Sequence, residues 1–253
     1  MEVIPVPIPN TEVKLQCADD TCGLPCWENR LLPVFFILFF KKHKLELLNV
    51  ILIYAFLGGI NMSKVTWKPG TFLYPLPAVM VSCGDMEKSN IITVAWTGII
   101  NTDPAMVYIS VRPSRYSYNM IKENGEFVIN LTTKDLAYAT DWCGVKSGEK
   151  VDKFKEMKLT KEEAKFVKCP MIKESPVSVE CKVKEIRELG THHMFVAEVL
   201  AINADEKYID EKGGFDISKC DLIAYSNGNY YTLGKKIGRF GFSVQKNKKR
   251  RKK

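Results

Sequence analysis

The chain has 253 residues, of which 46% are hydrophobic and 26% are charged. This is the composition of an ordinary globular protein, and it excludes a low-complexity or fibrous chain. The formal net charge is +8, but seven positive charges lie in the last eight residues, 246–253, so the rest of the chain is near +1. The basic character therefore belongs to a tail, which we expect to be disordered and solubilising, and nucleic acid is not expected as the main partner.

Residues 1–61 differ from the rest of the chain. Two apolar runs, 31–40 and 47–60, are separated by charged residues. Neither reaches the roughly 18–20 residues that span a bilayer, and the pattern is not that of a signal peptide. The segment is a membrane-associating leader, a helical extension of the main domain, or a stretch outside the native coding sequence with Met62 as the true start. We favour the third interpretation, and membrane contact is expected only through this leader.

The eight cysteines are scattered, with no CxxC pair and no histidine at a zinc-finger distance. This spread predicts reduced, mostly buried thiols in a cytoplasmic protein, and no metal site. Cys143 lies in a segment where a redox thiol is conceivable, although no neighbour in the sequence would depress its pKa.

From Met62 to residue 245 the pattern predicts one domain that is mainly β. Strands are predicted at 76–82, 90–100, 106–111, 126–131, 177–186 and 193–201, with a closing hairpin at 222–225 and 230–232. Asp103-Pro104 and Asn227-Gly228 mark turns. A helix is predicted at 114–124, capped by Ser114 and ended by Gly125. Further helical segments are predicted at 133–142 and 148–157, with breaks at Gly144 and Gly148 between them. This order is not that of a parallel sheet, and it favours a closed antiparallel barrel with helical insertions.

The segment Arg-Pro-Ser-Arg-Tyr-Ser at 112–117 is the strongest candidate for binding chemistry. A helix start offers free N–H groups to an anion, and Arg112 and Arg115 add charged donors whose geometry matches phosphate oxygens. The hydroxyls of Ser114 and Ser117 can also donate. The segment therefore predicts a phosphate site, with a capped helix and solvated arginines as the simpler interpretation.

The predicted strand at 90–100 has a face of small residues. Alternation places Thr93, Ala95 and Thr97 on one face and Val94 and Trp96 on the other. A small polar face lets a planar ring approach the backbone closely. Aromatic side chains that could stack on such a ring are Tyr74, Trp96, Tyr116, Tyr230 and Tyr231, although aromatic residues in strands more often belong to the core.

Together these segments resemble the flavin reductase-like family, which binds FMN in a split β-barrel and includes flavoredoxin. The matching pieces are NIITVAWTG, the Asp-Pro turn, ISVRPSRYS, GEFVINL, SGEKVDKF, GTHHMFVAEV and YYTLGKKIG. They occur in family order and span roughly residues 62–241. The resemblance implies an antiparallel split barrel.

The resemblance also implies roles for particular residues. The strand at 93–97 matches the segment that holds the flavin ring and ribityl chain, and Arg112, Ser114, Arg115, Tyr116 and Ser117 match the phosphate-binding turn. Asn130 and Thr132 match the strand that borders the ribityl chain. Asp152-Lys153-Phe154 matches a segment with a structural or subunit-contact role. His192 matches a family histidine on the nicotinamide side, but His193 follows it, and which imidazole faces the flavin stays open.

The implied function is that of an FMN-dependent oxidoreductase or electron carrier. It would take hydride from NAD(P)H and pass electrons to a partner protein or a small acceptor. The resemblance further implies a homodimer. Two alternatives remain: a flavin-binding module docked to nucleic acid by the basic tail, and a reductase that uses free flavin as a substrate. The electron acceptor and the choice between NADH and NADPH are not predicted.

Overall fold

A computed structural model describes residues 64–244 of the chain. The predictions for the leader at 1–61 and for the tail at 246–253 lie outside the described residues. The chain divides into two compact units between Phe72 and Leu73. Before this boundary the described residues form no helix or strand, and Trp67 and Phe72 pack edge to face with ring centroids 5.9 Å apart. All features below lie in the second unit.

Seven strands form one antiparallel sheet in the order β3-β2-β6-β9-β10-β5-β4. Their bounds are Val79–Gly84 for β2, Ser89–Val94 for β3, Thr97–Thr102 for β4, Ala105–Val111 for β5, Glu126–Leu131 for β6, Val177–Leu189 for β9 and His192–Ala204 for β10. The two longest strands, β9 and β10, pair with register shifts at Val196/Ala197 and Val199/Ala201. Such bulges increase the local bend of a sheet.

The sheet curls into a barrel because its two edge strands are neighbours in the chain. β3 ends at Val94 and β4 begins at Thr97, although the two strands lie at opposite edges of the sheet. Only Ala95 and Trp96 connect them, and consecutive Cα atoms are about 3.8 Å apart. The two edges must therefore meet at this link. The architecture is an antiparallel split barrel, which confirms the predicted fold.

The other elements surround this barrel. A small sheet joins β1 (Leu76–Pro77), β11 (Ile223–Ser226) and β12 (Asn229–Thr232), and a short pair joins β7 (Lys161–Glu162) to β8 (Met171–Ile172). The helices are α1 (Tyr116–Asn124), α2 (Ala137–Val145) and α3 (Lys153–Glu156), with 3-10 turns at Glu206–Tyr208, Ile217–Lys219 and Phe242–Val244. No helix in the described part of the chain is long and apolar enough to cross a bilayer.

Strand β2 is buried along its whole length because each of its faces meets a different part of the core. Val79, Val81 and Cys83 join the cluster that includes Tyr118 and Ile121 of α1. Met80, on the opposite face, joins a second cluster with residues of α2 and α3. Alternation along one strand thus divides the core between the barrel interior and the helical insertions. The five cysteines among residues 64–244 are free and buried, as predicted.

The predicted single strand at 90–100 is wrong. The chain breaks at Ala95-Trp96 to pass from one sheet edge to the other, and the Ser110 amide donates to the Trp96 carbonyl across this break at 2.9 Å. The predicted shared face of Thr93, Ala95 and Thr97 is therefore also wrong. Thr97 is buried, and its hydroxyl donates to the Tyr108 carbonyl at 2.6 Å.

The helix predicted at 114–124 begins two residues later, at Tyr116. Arg115, not Ser114, occupies the N-cap position, and its side chain makes no capping hydrogen bond. The Arg115 amide donates instead to the Arg112 carbonyl at 3.0 Å, which closes a turn over the two residues between them. The predicted end is confirmed, since Gly125 adopts a left-handed φ of 68°.

The predicted break at Gly144 is wrong, because this glycine lies inside α2. A Cβ at Gly144 would lie 3.2 Å from Cβ of Thr93, and a Cβ at Gly148 would lie 2.0 Å from Oδ1 of Asn90. Asn90 is itself fixed, since its Nδ2 donates to Oγ of Ser117 at 2.7 Å. These glycines therefore allow α2 and the loop after it to pack directly on β3.

We expect Gly148→Ala to lower the free energy of unfolding by about 1–3 kcal/mol, because the new methyl group forces Asn90 away from its hydrogen bond. Urea denaturation followed by circular dichroism measures this change. Gly234→Ala is the matched control, because nothing lies within 4 Å of its Cβ position. Equal stability of Gly148→Ala and the unsubstituted protein would mean that the loop is not packed on β3.

Candidate functional site

A cavity of about 330 Å³ opens where the sheet edges meet. It lies between the β3–β4 link, the start of α1, one face of α2 and the small sheet. Its lining residues are Ala78, Ile92, Thr93, Val94, Ala95, Trp96, Ser110, Val111, Arg112, Arg115, Asp141, Gly144, Val145, His192, Tyr225 and Tyr230. Small residues from three different elements, Ala78, Ala95 and Gly144, leave backbone open to a ligand on this wall.

Two arginines, Arg112 and Arg115, line the same cavity. Arg112 follows β5, and Arg115 stands at the N-cap of α1, where the first N–H groups of a helix lack internal acceptors. Both side chains are exposed. Within residues 64–244 neither guanidinium forms an ion pair. Two positive charges and a helix start at the same place favour the binding of an anion.

His192, and not His193, lines the cavity. Nε of Arg112 donates to Nε2 of His192 at 3.3 Å, and the imidazole packs against Trp96 with ring centroids 4.2 Å apart. Because an arginine can only donate, Nε2 is the acceptor and the proton of the neutral ring is on Nδ1. Nδ1 lies 3.0 Å from Oγ1 of Thr191. This imidazole therefore contacts Arg112 and Thr191 through its two nitrogens and Trp96 through its ring.

His193 lies on the other face of β10. Its Nδ1 is 2.7 Å from the Tyr118 hydroxyl, and the two rings pack edge to face at 5.4 Å. Neighbouring residues of a strand point to opposite faces, so only one of the two imidazoles can reach the cavity. The sequence left open which of the two histidines faces the site, and the structure places His192 in the cavity. Its predicted catalytic role remains a prediction.

Burial, followed by the charges of Arg112 and Arg115, lowers the pKa of His192 below its ordinary value of 6.5. The ring is thus neutral at pH 7. We expect Arg112→Ala to raise this pKa, because it removes a positive charge that disfavours the imidazolium. Titration of the imidazole ¹⁵N resonances, with His193→Gln used to assign them, measures the shift. An unchanged or lower pKa in Arg112→Ala would contradict the contact between the two side chains.

Helix α2 is attached to the sheet behind the cavity by a buried lysine. Nζ of Lys153 donates to the carbonyls of Ile91 in β3 and Cys143 in α2, both at 2.7 Å. Burial lowers the pKa of this amine. Asp152 caps α3 and Phe154 joins the second core cluster, so the Asp-Lys-Phe segment is structural in this fold. Burial raises the pKa of the Cys143 thiol to about 11, which leaves it protonated at neutral pH.

The hairpin β11–β12 supplies the aromatic wall of the cavity. Tyr225 and Tyr230 pack against each other with ring centroids 5.5 Å apart, and Tyr74 lies 6.2 Å from Tyr225. The Tyr230 hydroxyl donates to the carboxylate of Asp141 on α2. Burial, together with that negative charge, raises the pKa of Tyr230 to about 12. The hairpin and α2 are thus connected at the edge of the cavity.

The cavity brings together seven of the predicted site residues: Thr93, Val94, Ala95, Trp96, Arg112, Arg115 and His192. The other six do not line it: Thr97, Ser114, Tyr116, Ser117, Asn130 and Thr132. Asn130 is fully buried and bonded to Ser82, Ile172 and Ser178, and the Thr132 hydroxyl donates to the Ala78 carbonyl. These two side chains fasten strands together, and their predicted role toward a ligand stays a prediction without support from the cavity.

Sequence reasoning missed Asp141, Gly144 and Tyr225. The first two share a helical spacing of three residues, which places them on one face of α2. Tyr225 pairs with Tyr230 across a hairpin that was predicted, so their shared face could have been inferred. Among residues 64–244, no group of three or more His, Cys, Asp or Glu side chains is arranged to hold a metal ion.

The fold is an antiparallel split barrel, and its cavity combines two arginines with small and aromatic residues where the sheet edges meet. The sequence profile of the flavin reductase like domain matches residues 71–234. The chain therefore belongs to the flavin reductase-like family, and this membership supports a redox function that involves a flavin.

Solved structures and relatives agree with this assignment. Flavoredoxin of Desulfovibrio vulgaris (Miyazaki F) is similar with a TM-score of 0.67 and 28% identity over 72% of this chain and 100% of that one. Flavoredoxin from Methanosarcina acetivorans is 32% identical, with a TM-score of 0.65 and the same coverage. An uncharacterised protein of Archaeoglobus fulgidus is 36% identical over 161 residues, which are 64% of this chain and 89% of that protein.

Proposed function

We propose that this protein is an FMN-binding oxidoreductase that takes hydride from NAD(P)H and passes electrons to an acceptor. The observation that carries the proposal is a pair of arginines, Arg112 and Arg115, that form no ion pair within residues 64–244 and lie at a helix start beside a cavity with a small-residue wall. Family membership supports the flavin part of the proposal.

The residues present fit FMN in their chemistry. A phosphate needs positive charge and hydrogen-bond donors, which the two arginines at the N-terminus of α1 supply. A flat ring needs close approach to backbone, which Ala95 and Gly144 permit, and an aromatic or apolar border, which Trp96 and Tyr230 provide. The cavity volume of about 330 Å³ also lies in the range of small-molecule sites, roughly 300–1,000 Å³.

When bound, a flavin accepts hydride and releases electrons singly or in pairs. The protein's own residues bind and orient. Arg115 binds the phosphate end of the flavin. Arg112 binds it as well, in an orientation fixed by its hydrogen bond to His192. Neutral His192 keeps Trp96 in place beside the ring site. No side chain needs to move a proton for the hydride step, which agrees with an imidazole whose two nitrogens are both occupied.

The direct test is to purify the protein without added cofactor, record its visible spectrum, and titrate it with FMN and with riboflavin. We expect tight FMN binding and weaker riboflavin binding, because riboflavin lacks the phosphate. NADH and NADPH are then added separately without oxygen, and loss of flavin absorbance reports reduction.

Equal affinities for the two flavins would refute the phosphate site. If the bound flavin stays oxidised with both NADH and NADPH, the proposal that a nicotinamide nucleotide donates the hydride is refuted. Loss of FMN on gel filtration would favour the use of free flavin as a substrate.

We further propose that the protein is a homodimer. Edge strand β4 exposes Ile99 to 82% and Ile100 to 47%, and the segment after β12 exposes Ile237 to 94% and Phe240 fully. Apolar side chains on a sheet edge and on a terminal segment are commonly covered by another chain. Sedimentation equilibrium is expected to give a mass near twice the 28.8 kDa of one chain. A mass of one chain at micromolar concentration would contradict the dimer.

A further inference from the structure

The lining of the cavity carries charges of both signs. Arg112 and Arg115 supply positive charge, together with the N-terminus of α1. From α2, the cavity is lined by Asp141, Gly144 and Val145, which share one helical face because they are spaced three and four residues apart. Gly144 and Val145 are the last residues of α2, so the negative C-terminal end of this helix also lies at the cavity.

Nothing in the described part of the chain neutralises Asp141. The carboxylate is exposed and forms no ion pair within residues 64–244, and the last turn of α2 contains no basic residue. Its contact is the uncharged hydroxyl of Tyr230, which fixes its position without removing its charge. If a phosphate occupies the arginines, the charge that remains for a second molecule entering the cavity is the negative charge of Asp141.

We propose that Asp141 is a charge filter among electron acceptors, which favours neutral or cationic acceptors over anionic ones at this cavity. The inference rests on the proposed function for the identity of the reaction, but the electrostatic effect of Asp141 exists without a bound flavin. Two unit charges about 4–8 Å apart at a solvated site interact by roughly 0.5–1 kcal/mol, which corresponds to about a two- to fivefold change in local ion concentration. The effect fades when the Debye length falls to about 3 Å in roughly 1 M salt.

The first test needs no cofactor. Trp96 lines the same cavity and is 36% exposed, so collisional quenching of its fluorescence reports the local charge. In Asp141→Asn we expect quenching by iodide to increase about twofold, quenching by caesium to decrease, and quenching by neutral acrylamide to stay the same. Repeating the measurement in the Trp96→Phe background assigns the change to this tryptophan. Unchanged iodide and caesium quenching in Asp141→Asn would overturn the proposal.

The second test uses the FMN-loaded protein, reduced by dithionite without oxygen and mixed with an oxidant in a stopped-flow instrument. Two ferricyanide ions, or two hexaammineruthenium(III) ions, each take one electron from one reduced flavin, whereas one neutral benzoquinone takes two electrons and two protons. In Asp141→Asn at about 10 mM ionic strength, we expect the rate with ferricyanide to rise two- to fivefold, the rate with the ruthenium cation to fall similarly, and the quinone rate to stay constant.

Two variants separate charge from structure. Tyr230→Phe keeps the carboxylate but removes its hydrogen bond, and it is expected to retain the preference for cationic oxidants. Asp135→Asn removes an exposed carboxylate that precedes α2 and does not line this cavity, and it is expected to change none of the rates. Equal changes in Asp135→Asn and Asp141→Asn would overturn the proposal. A protein that binds no flavin but shows the iodide effect would refute the proposed function and leave the filter intact.

Discussion

Arg115→Ala is expected to bind FMN about 10- to 150-fold more weakly than the unsubstituted protein, a loss of roughly 1.5–3 kcal/mol. The reason is the loss of a charged donor to the phosphate. Arg115 is the more informative of the two arginines, because Arg112 also donates to His192 and its removal disturbs a second side chain. Removing Arg115 leaves no hydrogen-bond partner unsatisfied among residues 64–244.

The measurement is a fluorescence titration with FMN and, in parallel, with riboflavin. Arg115→Ala should leave riboflavin affinity almost unchanged, since the deleted contact is to the phosphate alone. Arg187→Ala is a matched control, because Arg187 is an exposed arginine paired with Glu185 and does not line the cavity. An equal loss for both flavins would show that Arg115 supports the fold of the site and does not bind the phosphate.

Many of the strands and the turn at 112–115 were predictable because their signals are local. The segment Glu126–Leu131 contains a run of apolar residues favourable to a strand, and it folds as the strand it predicts. Arg112 and Arg115 lie at a helix start marked by proline and serine, and the helix begins within two residues of the predicted position. A local pattern of this kind determines which groups lie close together, whatever the rest of the chain does.

The break at Ala95-Trp96 was not predictable from the segment itself. A run rich in β-branched residues favours one continuous strand. The break exists because this run must leave one edge of the sheet and enter the other, which is a property of barrel closure. The same limit applies to Asp141 and Tyr225, which reach the cavity only after α2 and the hairpin β11–β12 have docked on the barrel. Residues that depend on long-range docking carry no local signal.

Gly144 shows how a local signal was misinterpreted. A glycine in a helical pattern usually weakens or ends the helix. Here the glycine lies inside α2, one residue before its end. A larger side chain at this position would press against Thr93, whose hydroxyl donates to the Thr140 carbonyl at 2.5 Å. The glycine therefore records a close approach between helix and strand, and this approach forms one wall of the cavity.

Replacing the buried carboxylate of Glu180, which lies outside the cavity, is expected to lower the free energy of unfolding strongly. Its side chain on β9 is fully buried and accepts hydrogen bonds from the amides of Lys165, Phe166 and Val167, at 3.0, 2.6 and 3.2 Å. Nδ2 of Asn203 on β10 donates a fourth at 2.8 Å. Four donors converge on one carboxylate, which thereby holds the segment before β8 against the sheet.

The net effect of these contacts is a lowered pKa. Burial alone raises the pKa of Glu180, but the hydrogen bonds from Asn203 and from the three amides outweigh it and hold the pKa below its ordinary value of 4.5. The unfolded chain therefore binds the proton more readily than the folded protein. The stabilisation is fully present above the unfolded pKa, and it is lost as the pH falls through the lower, folded value.

Glu180→Gln is expected to lower the free energy of unfolding at pH 7 by about 2–4 kcal/mol, because the amide group of glutamine places donors against backbone donors. Urea denaturation at pH 7, and again in steps down to pH 3, measures both the loss and its acid dependence. In Glu180→Gln the decline of stability between pH 5 and pH 3 should be shallower, since the titrating group is gone. Glu163→Gln removes an exposed carboxylate near the same segment and should change stability by less than about 0.5 kcal/mol. An acid decline as steep in Glu180→Gln as in the unsubstituted protein would show that other carboxylates govern it.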